Sequence, residues 1–315
     1  MNSESKSTLG IAWWNTSLSP LGKRRANEED KKIASQIISL MVNDLHIDCL
    51  ALGEVTFDDL LYILDSCFLK DYKIFDGTLK EGRLSFDTGL IFNKYRLEIL
   101  DSGNITSSYG TQTLKIAQRI DFRISETREL LHIYILHWPS RQWCNANDCK
   151  RDTLGIRLRD AIQNLKKNYS YPYPPQIILL GDFNDEPFDD SLAGHLLATR
   201  DRTLVKKNDL FFYNPFWRLL GESLPHSYGF NPDSICGTYF HRTGEVTKWR
   251  TFDQIIVSSS FLKDDRWYIE EKNTNILHYP PLDDLLRIKS RIFDHRPVFS
   301  YIQRRLNDNE EATHE

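Results

Sequence analysis

Gln176-Ile177-Ile178-Leu179-Leu180-Gly181-Asp182-Phe183-Asn184-Asp185 joins a short apolar run to a glycine, two carboxylates and an amide. The run has the length of a strand and the composition of one buried on both faces. Such a strand can present polar side chains at its carboxyl end, where α/β sheets form crevices. If the backbone stays extended, Asp182 and Asn184 point the same way. A carboxylate beside an amide suits a divalent cation together with a phosphate. An Asx-rich turn closing a core strand is the alternative reading of this segment taken alone.

Working outward, the same arrangement recurs. Leu9 to Trp14 is expected as a buried first strand ending at Asn15. An acidic first turn, Glu28-Glu29-Asp30, opens a helix whose apolar positions Ile33, Ile37, Ile38, Met41, Val42 and Leu45 recur at helical spacing. Ile47 to Leu52 is a second buried strand running into Gly53-Glu54. Strand, helix, strand, with a polar residue at each strand end, is the pattern of α/β layering.

Further along, Phe57 to Phe68 and Asp148 to Lys167 read as helices, the second with Arg151, Arg157, Arg159, Lys166 and Lys167 on its solvated side. Asp189 to Ala198 is also expected to be helical. Tyr72 to Phe75, Asp87 to Phe92, Leu97 to Leu100, Lys115 to Ile124 and Leu130 to Leu136 read as strands, most of them joined by short polar turns. Thr238 to Phe240 and Lys248 to Val257 are expected to pair around Arg242-Thr243-Gly244, and a last strand runs from Val298 to Ile302. With no linker and no repeat, the expected organisation is a flexible N-terminus at 1–8, a single domain at 9–303 and a polar tail at 304–315.

Composition narrows the partners. A net charge of -4 in 315 residues provides no global basic field, so affinity for nucleic acid has to come from local patches. No apolar run approaches the roughly 20 residues needed to cross a bilayer, so membrane insertion is not expected. The N-terminus does not read as a secretory signal. Five scattered cysteines, Cys49, Cys67, Cys144, Cys149 and Cys236, are expected as reduced thiols in a cytoplasmic protein. No protein partner can be deduced.

Asn15, Glu54, His137, Asp182, Asn184, Asp253, Asp294 and His295 all fall at strand ends or within strands. Each alone reads as a cap, a turn or a satisfied core group. Together they form a concentration of carboxylates that a cation would have to neutralise. Glu54, His137-Trp138-Pro139-Ser140-Arg141, Gly181-Asp182-Phe183-Asn184, Phe252-Asp253-Gln254 and Asp294-His295-Arg296-Pro297-Val298 resemble, in order, the motifs of the endonuclease/exonuclease/phosphatase superfamily. That group includes DNase I, apurinic endonucleases, deadenylases, inositol-polyphosphate 5-phosphatases and bacterial sphingomyelinases. The resemblance extends from about residue 9 to 302.

The resemblance implies an α/β (α+β) fold, a DNase I-like four-layer sandwich of two mixed β-sheets flanked by helices. It implies Mg²⁺ or Mn²⁺ at Glu54, assisted by Asn15 and Asp294. It also implies a catalytic imidazole at His295 oriented by Asp253, an Asp182/Asn184 pair positioning water and phosphate, and His137 contacting the phosphate. Phosphodiester hydrolysis needs these parts: positive charge for the transition state, an acceptor for the water proton, and a donor near neutral pH. For substrate, Trp138, Arg141 and Trp143 with Lys150, Arg151 and Arg157 are expected as an aromatic and cationic rim for bases and phosphates, extended by Arg202, Lys206 and Lys207. A solvated helix face with one core tryptophan is the alternative. Nucleic acid, DNA first, is thus the expected substrate, and a small or lipid phosphoester the second choice.

Overall fold

The computed structural model describes residues 6–22, 24–81, 84–221, 237–244, 246–263 and 265–305. Cys236, Lys23 and most of the expected loose ends 1–8 and 304–315, namely residues 1–5 and 306–315, lie outside them. Two large mixed sheets dominate. One has six strands, in the order Tyr268–Ile276, Val298–Arg305, Lys6–Asn15, Ile47–Gly53, Thr88–Asn93, Tyr72–Asp76. The other has seven, in the order Ala198–Thr199, Phe212–Tyr213, Asp253–Ser258, Gln176–Asp182, Leu130–His137, Gln112–Ile124, Leu97–Tyr109.

Strand alternation builds the layers. Ile11 and Trp13 face the other sheet, meeting Ile133, Ile135, Ile178, Leu180 and Ile255 in one buried cluster. Their neighbours Ala12 and Trp14 face outward, into a cluster with Ile37, Ile38 and Met41 of the Glu28–Asn43 helix. On the far side, Ile177 and Leu179 pack against Leu154, Leu158 and Ile162 of the Cys149–Lys167 helix. The result is helix, sheet, sheet, helix, the four-layer sandwich expected from the sequence.

Register then places the polar strand ends. In the first sheet Asn15 pairs with Gly53 across a parallel ladder, so Glu54 follows directly beside Asn15. In the second, Asp182 pairs with His137 in parallel and with Asp253 antiparallel. Parallel pairing brings both members of each couple to the same edge of their sheet.

Several sequence expectations are corrected. Lys6 to Thr8 are not loose, because they pair with Gln303 to Arg305 in the first sheet, so Arg304 and Arg305 belong to a strand and not to the tail. The Leu97–Tyr109 and Gln112–Ile124 strands form one long hairpin; the polar stretch after Leu100 reads as a turn but is a solvent-facing edge strand. In the region 238–257 only Tyr239-Phe240 and Trp249-Arg250 pair with each other, and Asp253–Ser258 departs to join the second sheet. The expected helix at 189–198 is a π-helical turn, Ser191–Leu196, ended by Leu197 at φ 64°. Arg151 lies on the buried face of its helix, donating to the carbonyls of Cys144 and Pro139. No helix among the described residues is long and apolar enough to cross a membrane.

Gly181 is needed where it stands. Its φ is +154°, and a Cβ there would lie 1.9 Å from the Leu136 carbonyl oxygen on the adjacent strand. Gly181→Ala is therefore expected to destabilise the protein by at least about 2 kcal/mol, measured by denaturant unfolding, because it forces apart the two strands that carry Asp182 and His137.

Candidate active site

One cavity is lined by Asn15, Glu54, His137, Arg141, Asp182, Asn184, Asp294 and His295. Asp253 stands behind His295. Thus eight of the sequence-derived candidates line a single opening, and a ninth supports it from below. Segments more than two hundred residues apart in the chain meet here.

The centre is a buried imidazole. Nδ1 of His295 lies 2.7 Å from Oδ2 of Asp253. The other oxygen of Asp253 accepts the indole N–H of Trp13 at 2.6 Å. Trp14, the next residue, donates its indole N–H to the His295 carbonyl at 3.1 Å. The alternating tryptophans of the first strand therefore fix the carboxylate from one face and the histidine backbone from the other. Nε2 of His295 is left facing Asp182 and Asp294, each at 3.8 Å. Burial alone would lower the His295 pKa, but the charges of Asp253, Asp182 and Asp294 outweigh it and raise it to about 10.

Asp182 ends the Gln176–Asp182 strand. Its Oδ1 accepts the Asn184 backbone N–H at 2.8 Å, and its Oδ2 accepts the Asn15 amide at 3.3 Å. Burial and the nearby Asp253 charge push the Asp182 carboxyl upward. Asn184 does not continue an extended strand: its φ is 52°, so it turns back, and its amide donates to the Trp138 carbonyl at 3.0 Å. Ser17 and Glu54 share this left-handed backbone, at φ 54° each, just past the ends of the first two strands. Such conformations cost about 1–3 kcal/mol apiece and persist where surrounding structure holds them.

Glu54 and His137 face each other with Nε2 and Oε1 4.0 Å apart. Among the described residues the Glu54 carboxylate makes no hydrogen bond, and burial raises its pKa despite the opposing His137 charge. Asp87, which the sequence reading passed over, sits 2.9 Å from His137 Nδ1 and 2.7 Å from the Lys115 ammonium. Burial works against its charge, yet His137 and Lys115 hold the Asp87 carboxyl well below the usual carboxylate range. In return Asp87 raises the His137 pKa against its own burial. Asp87 is expected as the first residue of a strand and stands one residue before it, so only its neighbours in space reveal its role.

Two hard-cation arrangements can be compared. Oxygens of Asp182 and Asp253 and a ring nitrogen of His295 lie within 4.8 Å of one another. Both oxygens of Asp253 are already engaged, however, by Trp13 and by His295. Glu54 has no such engagement, and among the described residues the Asp294 carboxylate accepts a hydrogen bond only from the Ser17 hydroxyl, at 2.8 Å. An oxygen-only set with an unbonded carboxylate fits Mg²⁺ or Mn²⁺ better than a nitrogen-containing set whose members are paired. The Glu54 side could therefore hold the ion without breaking the His295–Asp253 pair.

The rim differs from expectation. Trp138 is buried, stacks edge-on with Phe183 and donates its indole N–H to the Ile116 carbonyl at 3.0 Å, so it cannot stack on a substrate base. Trp143 is 84% exposed and stays available at the surface. Arg141 lines the cavity, but its guanidinium bonds the Asn184 carbonyl, pairs with Asp185 and Asp189 and lies over the Phe252 ring. Arg202 pairs with Glu271, away from the lining of the cavity. Tyr239, absent from the sequence reading, packs its ring 4.7 Å from the His295 ring. Thr238 ties the two halves of the His–Asp pair together: its carbonyl accepts the Arg296 N–H and its hydroxyl the Asp253 N–H, the latter at 2.9 Å.

Fold and site together define a phosphoester-hydrolase architecture, and the comparisons agree. Residues 23–284 match the profile of the Endonuclease/Exonuclease/phosphatase family, and the chain belongs to that family. Its members are hydrolases acting on phosphoesters. The fold is similar to that of the human Nocturnin catalytic domain with bound sulfate, at 17% identity over 94% of each chain with a TM-score of 0.58. D. rerio TDP2 complexed with single-strand DNA product is similar at 17% identity over 94% of this chain and 99% of that one, with a TM-score of 0.57. The Bacteroides thetaiotaomicron mannosyl-6-phosphatase Bt3783 aligns at 15% identity over 93% and 99%, with a TM-score of 0.52. No curated protein matches significantly by sequence.

Two outcomes test this geometry. Trp138→Ala is expected to cost about 3–5 kcal/mol in denaturant unfolding, and Trp143→Ala less than about 0.5. For the metal-free protein, the folded pKa of His295 lies above its ordinary 6.5, so its contribution to stability is complete below that pH and lost as pH rises through about 10. Urea unfolding across that window should show a falling stability that His295→Asn flattens.

Proposed function

We propose that this protein is a Mg²⁺- or Mn²⁺-dependent phosphodiesterase whose substrate is nucleic acid, DNA first. The observation that carries the reading is the buried His295–Asp253 pair, with Asp182 beside it and the unbonded Glu54 carboxylate across the same cavity. A cation held by Glu54 with Asn15 and Asp294 would supply Lewis-acid stabilisation of the phosphate oxygens.

The chain's own groups perform the rest. Asp182, with a raised pKa, is suited to accept the proton of the attacking water, and the Asn184 N–H and Asn15 amide hold it in place. His295 is protonated near neutral pH, and its Nε2 can donate to the phosphate. Asp253 fixes which ring nitrogen faces the cavity. His137, whose pKa Asp87 raises against its burial, adds a second imidazole at the opposite wall. Asn184 keeps one amide N–H for the substrate after its bond to Trp138.

The choice of nucleic acid is supported by the exposed Trp143, by the match in fold to a protein solved with a DNA product, and by Arg242 and Lys289 in the depression beside the cavity. A small phosphoester is the second reading, favoured by one observation: Arg141, expected at the rim, has its charge met by two carboxylates. The free thiols of Cys49, Cys67, Cys144 and Cys149 suit a reducing, cytoplasmic setting.

Purified protein incubated with plasmid and single-stranded DNA should cleave in Mg²⁺ or Mn²⁺ and stop in EDTA. His295→Ala and Asp182→Asn should each lower the rate about 10²–10⁴-fold, with circular dichroism unchanged. Glu54→Gln should raise the metal concentration needed for half-maximal activity. Turnover of sugar or inositol phosphates by a protein inert on DNA would reverse the choice of substrate.

A further inference from the structure

Beyond Glu54 and Asp294 the active cavity continues into a second depression of about 350 Å³, a size that falls in the range of ligand clefts. The two openings share those two carboxylates, so anything bound in the second lies directly next to the proposed reacting centre, on its Glu54 side. Its remaining charged lining is entirely basic: Arg24, Arg242, Lys289 and Arg291.

These cations are not equally committed. Arg291 is held by Glu29 at 2.8 Å and Asp30 at 3.7 Å, and Arg24 reaches Asp30 only at 4.0 Å. Arg242 and Lys289 have no carboxylate within 4.0 Å among the described residues. The Arg242 guanidinium is nonetheless fixed, because it donates to the carbonyls of Leu286 and Phe293. That anchoring uses Nε and Nη2 and leaves Nη1 unassigned, so the group is aimed without being neutralised. On the other flank of the cavity the arginines are compensated, Arg141 by Asp185 and Asp189 and Arg250 by Glu186 at 3.7 Å. Among the described residues, the uncompensated positive charge around the mouth therefore lies on one side.

We infer that the depression lined by Arg242 and Lys289 is a phosphate subsite, which seats the backbone phosphate adjacent to the scissile one in a bound nucleic-acid strand. The inference rests on the proposed phosphodiesterase reading and makes it more specific. A strand carries a phosphate at every nucleotide, so a second anion necessarily emerges beside the reacting group, whereas a lone phosphomonoester has nothing to place there. Fixed guanidinium donors suit a phosphate oxygen, and a mobile ammonium at the rim suits a moving charge.

The test is binding and does not require turnover. A fluorescein-labelled octathymidylate is titrated with intact protein in Ca²⁺, and anisotropy is followed from low to moderate salt. Lys289→Gln, an exposed position, and the double variant with Arg242→Gln are compared with wild type after their melting curves are checked. The expected result is weaker binding in both, with the slope of log K against log salt reduced by about 0.7 for each charge removed. Equal affinity and equal slope for wild type and Lys289→Gln overturn the subsite even if the enzyme cleaves DNA. Absence of any phosphodiester cleavage in wild type, with the binding differences present, faults the catalytic reading instead.

Discussion

Burying carboxylates side by side is unfavourable unless each is paired, and this protein buries Asp87, Asp182 and Asp253 around one cavity. The compensation is specific. Asp253 is met by an imidazolium and an indole, Asp87 by His137 and Lys115, and Asp182 by a backbone N–H and an amide. Only Glu54, at the mouth, lacks an equivalent partner among the described residues. Isolated ions in low dielectric cost several kcal/mol each, so the pairings decide where positive charge is still needed. That place is the Glu54 wall.

The sheets explain why the compensation is possible. Trp13 and Trp14 occupy opposite faces of one strand, and the strand's alternation sends one indole between the sheets to Asp253 and the other outward to the His295 backbone. Parallel pairing in both sheets carries Asn15, Gly53, His137 and Asp182 to the same side. The residues with the chemistry are thus held by hydrogen bonds from core residues, and the loops beyond them take up the left-handed backbone at Ser17, Glu54 and Asn184.

Much of this was legible in the sequence because buried strands announce themselves by composition, and a polar residue at the end of an apolar run is conspicuous. That is how Asn15, Glu54, His137, Asp182 and the Asp294-His295 pair could be picked out. What stayed hidden depends on contacts between distant segments. Asp87 reads as the opening residue of a strand until Lys115 and His137 are seen around it. Trp138 sits next to a site residue in the chain, yet strand alternation turns it into the helix-covered core. Arg151 looks solvated in a basic helix, but its guanidinium lies 3.2 Å from buried Asp185 and braces the loop after the Gln176–Asp182 strand. Arg296, inside the Asp-His-Arg-Pro-Val motif, is likewise structural: it pairs with Asp283 at 2.6 Å and lies over the Trp249 ring. Motif residues and chemical residues overlap only in part, and charge pairing separates them.

The measurement that bears most directly on the account is the anomalous scattering of manganese in crystals soaked with Mn²⁺. A peak within coordination distance of the Glu54 carboxylate, with the His295–Asp253 hydrogen bond intact, is the predicted result. A peak bonded to Asp253 and the His295 ring, with that hydrogen bond broken, would contradict the division of the site into a cation wall and a proton-handling wall.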